Sequence, residues 1–314
     1  MSNVENFPSN QYSQRMNIVK DLGEIENCPV FKAVPLHWEH EGKMLTSQTN
    51  ESGESLDRGI INQDGKLLAT VKPSYKLEQY SATFESLEAI LVNSDLDLSG
   101  ITREVGFSHD GGRMKCVYTL PSHKIDLGNG DTSYMEVGAY DSRDGCWSLN
   151  QFVGAIRILC LNSQVSISHI SNYRAKHTAS LSHEAAQQIT QKCINEFTVQ
   201  GDRWRQWKKD VVMDRQAMEI FWATVRSDKL PTDQSLVETL NQKKFLNTPS
   251  LKYLWDRWLI EKDLLGSNTW AIYNTLTHWS THAPARNDDE AINIVDVKKR
   301  REEKIKKSFL REAA

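Results

Sequence analysis

The sequence predicts an α+β protein: a curved antiparallel sheet with a crossing helix, in the order ββα then βββ, followed by a helical C-terminal part. Three observations carry this expectation. Short runs of alternating apolar and polar residues, separated by Gly, Asp and Ser turns, fill the first half, as strands with one buried face require. One stretch of helical spacing interrupts them near residue 81. Beyond residue 180 the apolar period changes from two to about 3.6. With 314 residues and a hydrophobic share of 39%, the chain is long enough to bury a real core.

Residues 1–55 are polar and interrupted, with Asn, Ser, Gln and Glu dominating 46–56. A loosely ordered N-terminal segment is expected there, with the apolar content of 29–40 docking on the folded body. Asp64-Gly65 lies between two apolar runs, the signal of a tight turn, so 57–72 reads as a hairpin. Ser81 is placed to cap a helix over 81–93 that sets Phe84, Leu87 and Leu91 on one face. Strands follow at 101–109 and 113–121 around Gly111-Gly112, then on either side of Ser142–Gly145, and 163–170 adds a last one. In the second of these, Met114, Cys116 and Tyr118 alternate with Lys115, Val117 and Thr119. Residues 56–180 are thus read as the antiparallel α+β core.

Helices are predicted over 181–226 with a break near Gly201, and at 233–246, 248–265 and 267–282. They form a helical part over 181–287 packed on the core, and 288–314 is a basic helical tail. The clearest helix opens with Thr248 as cap and Pro249 in the first position. It carries Leu251, Leu254, Trp255, Trp258, Leu259 and Leu265 as a stripe, and Gly266 ends it. Seven of the nine tryptophans lie beyond residue 200, and at helical spacing they read as core or interface.

No run approaches the roughly 20 apolar residues of a spanning helix. The first twenty residues carry no apolar signal core, so no membrane association and a cytoplasmic location are expected. Five cysteines, Cys28, Cys116, Cys146, Cys160 and Cys193, form an odd set with no CxxC pair, which suggests neither a disulfide framework nor a zinc knuckle. The nucleotide-binding and hydrolase motifs GxGxxG, GxxxxGK[ST], GxSxG and HExxH are all missing. His278 and His282 share a helix face but have no acidic third ligand at a diagnostic spacing. Asp141-Ser142-Arg143-Asp144-Gly145 is acidic like a calcium loop but lacks the distal Glu, and reads as a plain turn. No catalytic residue, metal or cofactor is therefore expected. A metal-dependent nuclease would need clustered carboxylates.

Charge points elsewhere. The net of −3 conceals 9 Lys/Arg against 17 Asp/Glu in residues 1–110, and 29 against 24 in the remainder, so an anionic partner would meet the later part. Cations interleave with aromatics at Lys72, Tyr75 and Lys76, on a strand at Arg113 and Lys115, at Arg157, and at Tyr173, Arg174, Lys176 and His177. Such a pattern can follow a phosphate backbone while bases stack. The expected nucleic-acid-binding residues are Lys72, Tyr75, Lys76, Arg113, Lys115, Arg157, Arg174 and Lys176. Arg157 has two readings from sequence, a buried structural cation or a phosphate contact. The tail holds eight Lys/Arg among residues 298–311, and its Glu302, Glu303, Lys306 and Lys307 spacing also suits a solvated helix.

The order GKLLATVKPSYKLEQY, helix, GGRMKCVYTLP, AYDSRDGCWSLNQFVGAIRILCLNS, YRAKHT and NTWAIYNTLTHWSTH resembles the phage- and plasmid-borne family known as domain of unknown function 932, over roughly residues 56–284. Arg157, Cys160, Asn162, Trp270, Tyr273, Asn274, Thr277 and His282 match its pattern, while Arg143-Asp144 departs from its turn. The resemblance implies a mobile-element protein acting inside a bacterial host. At the level of fold the chain is also similar to single-strand annealing proteins of the Erf and RecT kind, which implies a homo-oligomeric ring or filament on single-stranded DNA. The alternative is a phage protein that binds and modulates a host protein or serves in assembly, which a pI near 6.3 and the acidic first third favour.

Overall fold

The computed structural model describes residues 9–45, 49, 51, 56–128, 130–157, 162–165, 173–178, 181–226, 247–285, 287 and 294–310. Two compact units emerge, and neither is one continuous stretch. The first comprises Met1–Lys124, Tyr134–Gly154 and Ser168–Glu196; the second comprises Ile125–Ser133, Ala155–Ile167 and Phe197–Ala314.

The first unit begins with α1 (Ser9–Lys20) and the short strands β1 (Phe31–Pro35), β2 (Trp38–His40) and β3 (Lys43–Leu45), where a loose lead-in was expected. Widely spaced anchors order this polar stretch. Val19 and Phe31 are buried, and Arg15 donates to the carbonyls of Leu91 and Val92 at 2.7 and 2.8 Å. Those carbonyls belong to the last turn of α2 (Tyr80–Asn93), where the helix has no acceptor-matching amides of its own.

The predicted hairpin forms from β4 (Arg58–Asn62) and β5 (Leu67–Val71), with Gly65 at φ 77° in its turn, a conformation only glycine adopts freely. Its place differs from expectation. β1 pairs antiparallel with β4, Phe31 opposite Asn62, so the hairpin belongs to a separate sheet of order β1-β4-β5.

The larger sheet contains β6 (Thr102–Ser108), β7 (Arg113–Asp126), β8 (Thr132–Ser142), β9 (Leu149–Arg157) and β10 (Asn162–Val165) in the order β10-β9-β8-β7-β6, with β11 (Tyr173–Ala175) antiparallel to the start of β9. Helix α2 crosses this sheet, as its hydrogen bonds show. Glu88 accepts from Tyr118 of β7 at 2.8 Å and pairs with Arg103 of β6. Thr83 donates to Asp141 of β8 at 2.6 Å, and Gln151 of β9 donates to Ser86 at 2.9 Å. Phe84, Leu87 and Leu91 are buried as their spacing predicts. Ser81 is not the cap, however. Gln79 holds that position without a side-chain cap bond, because its amide instead exchanges hydrogen bonds with the backbone of Phe31 at 3.0 and 2.9 Å. The unit closes with α3 (His183–Asn195), capped by the Ser182 side chain.

The second unit holds α4 (Phe197–Trp207), α5 (Asp214–Arg226), α6 (Pro249–Leu265), α7 (Thr269–His282) and α8 (Ile294–Ile305), which runs into a π-helical turn at Lys306–Leu310. The predicted helix at 233–246 lies outside the described residues. Gly201 does not break a helix but sits within α4, and a Cβ there would meet the Ile125 side chain at 3.2 Å, so the missing side chain permits close packing. Aromatic rings fill the core: Trp204 lies 5.1 Å from Trp270, Trp207 lies 5.4 Å from Phe309, and Trp270 Nε1 donates to buried Asp131 at 2.7 Å. The basic tail is more than a solvated helix, because Val297, Arg301, Ile305 and Phe309 are buried along one side.

Candidate functional site

Three segments of the first unit converge on a buried charge network. Asp141, near the end of β8, and Arg143, just beyond it, are both fully buried. Such charges persist in a core only when paired. Arg143 Nη1 lies 2.8 Å from Asp141 Oδ1, and His177 Nε2 lies 2.8 Å from the same oxygen. The second carboxylate oxygen accepts from Thr83 Oγ1 at 2.6 Å. Because a carboxylate only accepts, Nε2 of His177 carries the proton. Its Nδ1 is buried with no partner among the described residues.

Arg143 links the segments. Its Nε donates to the Glu78 carbonyl, its Nη1 to the Ser142 carbonyl at 3.0 Å, and its backbone amide to Gly112 at 2.7 Å. The guanidinium lies 4.5 Å from the centre of the Tyr80 ring, a cation–π placement. Burial would raise the Asp141 carboxyl, but Arg143 and His177 outweigh it and hold the group at about 2. Asp141 is therefore a permanent anion at neutral pH.

This network fixes two surface segments side by side. The Lys76 amide donates to the His177 carbonyl at 2.9 Å, so 72–76 and 174–177 meet. Lys72, Lys76, Arg174 and Lys176 are all exposed on them. Glu78 accepts from Lys76 Nζ at 2.6 Å and lies 2.8 Å from His183 Nε2. Burial opposes its ionisation, but these two partners lower the Glu78 carboxyl below its ordinary value. Tyr75 is half-buried on the first segment, its ring 5.5 Å from that of His177 and its hydroxyl without a partner among the described residues. Burial pushes that phenol up to about 12.

Five of the eight sequence-predicted residues thus lie on these two adjoining segments: Lys72, Tyr75, Lys76, Arg174 and Lys176. Arg113 does not join them. Its guanidinium is buried in an ion pair with Asp144 and lies 5.3 Å from the Trp147 ring centre, which makes it a structural cation. Lys115 is half-buried on β7 opposite Gly106. Arg157 ends β9, and its side chain lies outside the described residues.

The turn at 141–145, read as plain, needs correction. It supplies one member of the Arg113–Asp144 pair and both members of the Asp141–Arg143 pair. The available signal was the placement of three charges directly after an apolar strand, where a charge must find a partner. Elsewhere, the rings of His278 and His282 stack at 4.5 Å, and His278 Nδ1 lies 2.9 Å from Tyr253 Oη. Burial pushes His278 down to about 4. Among the described residues no group of three or more His, Cys, Asp and Glu could hold a metal, and no helix is long and apolar enough to cross a membrane.

The profile of the family described as Domain of unknown function (DUF932) matches residues 67–307. The chain belongs to the DUF932 family. No curated protein and no solved structure matches it. The DUF932 match opens at β5 and therefore includes the whole charge network and all four exposed cations, whereas α1 and β1–β4 precede it.

Proposed function

We propose that this DUF932 chain is a phage-type protein that binds single-stranded DNA and promotes strand annealing as a homo-oligomer. One observation carries the reading: Lys72 and Lys76 on one segment, and Arg174 and Lys176 on another distant in sequence, are all exposed, and the two segments are joined at the Lys76–His177 hydrogen bond. Exposed lysines alone are ordinary surface. Cations on two segments pinned by a buried ionic network have paid much of their ordering entropy in advance, which suits them to contact successive phosphates. Contacts with the backbone leave base edges free to pair, and several subunits on one strand multiply weak contacts. No covalent step is required.

Fluorescence anisotropy with a labelled 5′-hydroxyl oligonucleotide at low salt tests this. Binding that weakens steeply with salt is expected, and its absence at low salt rules the reading out. A second reading, a phage protein that binds and modulates a host protein, has its own observation. Val211, Met213 and Leu264 are 82%, 66% and 65% exposed, and the Val211–Asn268 bridge sets 211–213 beside the end of α6. A host partner retained through nuclease treatment in a pull-down, and lost on Met213→Asp with Leu264→Asp, selects this second reading.

A further inference from the structure

In the first unit the strands β2 and β3 form a two-stranded sheet of their own, and all six of their residues are exposed. Two strands alone are marginally stable in water, so this hairpin gains from a ligand that covers it. Trp38 is 45% exposed, with Met44 at 66% and Leu45 at 38%. The register divides the two faces by chemistry. Trp38 pairs with Leu45 and His40 with Lys43, while Glu39 pairs with Met44. Directly opposed residues share a face, and successive residues alternate between faces. One face therefore carries Trp38, Leu45, His40 and Lys43, and the other carries Glu39 and Met44. The turn residue Glu41 lies 3.9 Å from His40, at the end of the hairpin away from Trp38.

The neighbouring sheet fixes where this hairpin starts. Strands β1 and β5 flank β4 and run in the same direction, with Pro35 opposite Arg58 and Arg58 opposite Val71. Both strands thus finish at one end of the sheet, about 10 Å apart at two strand spacings. Leu36 extends the pairing by donating its amide to the Asp57 carbonyl at 2.9 Å, and its side chain lies 3.3 Å from where a Cβ on Gly59 would stand. The chain is therefore held two residues before Trp38, and Lys72 follows Val71 directly. Arg58, on the middle strand between them, is exposed, as is Lys72. A flat aromatic ring and two exposed cations, from three different stretches of sequence, gather at one end of one sheet. Single strands are held by this combination, the cations tracking phosphates while a base stacks on the ring.

We propose that Trp38 stacks on a base of a single DNA strand whose phosphates pass Arg58 and Lys72. The inference rests on the single-strand reading above and adds to its phosphate contacts a base contact that carries no charge. The hairpin precedes the DUF932 match, which opens at residue 67. Anisotropy with the full chain compares an oligothymidylate with an abasic strand of equal length, which has the same phosphates and no bases. The native chain should bind the thymidylate more tightly by about fivefold or more, the size of one base–aromatic stack. Trp38→Ala and Trp38→Leu should each remove that margin and leave both the salt slope and the abasic affinity unchanged; the unchanged abasic affinity also reports that the variants stay folded. Trp38→Phe keeps a flat ring and should retain most of the margin. Failure of the native chain to bind either strand at low salt removes the single-strand reading and this inference with it. Native binding with no preference for the thymidylate overturns the inference alone. The same holds if Trp38→Ala binds the thymidylate as tightly as the native chain, if it weakens both strands equally, or if Trp38→Leu binds as well as Trp38→Phe.

Discussion

Two regions of this chain are rich in cations, and they use them differently. On the segments 72–76 and 174–177 the positive groups are exposed, while the buried charges beneath them, Arg143 and Asp141, hold the backbone in place. On α8 the basic run is itself part of the packing: Arg301 is buried against the end of α7, and Ser308 meets Thr224 of α5 at 2.6 Å. The contrast teaches that the density of Lys and Arg in a sequence does not locate an anion-binding surface. What matters is whether the cation is exposed, and whether something rigid holds the backbone beneath it.

The largest expected effect comes from breaking the support beneath the first region. Asp141→Asn leaves Arg143 buried without its counter-charge, and removing one member of a buried pair costs about 3–5 kcal/mol. Urea unfolding measures this, and a loss below about 1 kcal/mol would show that the network does not organise the loops. Neutralising the exposed cations should instead spare stability. Lys72→Gln, Lys76→Gln, Arg174→Gln and Lys176→Gln together should shift unfolding by less than about 0.5 kcal/mol each, while oligonucleotide affinity falls on the order of a hundredfold. In the second region, Arg301→Ala should cost about 1–3 kcal/mol by orphaning the carbonyls of Ala283 and Pro284, without weakening a 5′-hydroxyl oligonucleotide.

Acid sharpens the comparison further. The Asp141 carboxyl is held at about 2, below its ordinary value near 4. Its contribution is therefore complete above pH ~4 and is lost as pH falls toward 2. At about 1.4 kcal/mol per pKa unit this amounts to about 2 kcal/mol. Unfolding free energies measured across that window should fall in the native chain and fall less in Asp141→Asn.

Much of the local structure was legible because it depends on neighbours in sequence. Helix α6 starts at Pro249 and ends before Gly266 at φ 87° as its caps indicate, and β6 with β7 follows the Gly111-Gly112 turn. Features decided by distant partners were not legible. Nothing in 1–55 announces that Arg15 will close α2 or that β1 will take the hairpin from the main sheet. The site was half legible: Lys72, Tyr75, Lys76, Arg174 and Lys176 stood out as interleaved cations and aromatics. Arg113 carried the same signal yet is buried, because strand residues alternate between faces and only Asp144 and Trp147 across the turn reveal which face it takes. Asp141, Arg143 and His177 were hidden because their meaning lies in a contact spanning 34 positions between Arg143 and His177.

The most direct test of the contrast between these regions is the salt dependence of 5′-hydroxyl oligonucleotide binding, read by anisotropy. The native chain should bind at low salt, and the four-residue loop variant should lower the slope of log affinity against log salt by about 3, at roughly 0.7 for each lost phosphate contact on a single strand. Lys306→Gln with Lys307→Gln in the tail should leave it unchanged. A slope untouched by the loop variant, or reduced as much by the tail variant, would contradict the assignment of strand binding to the loops.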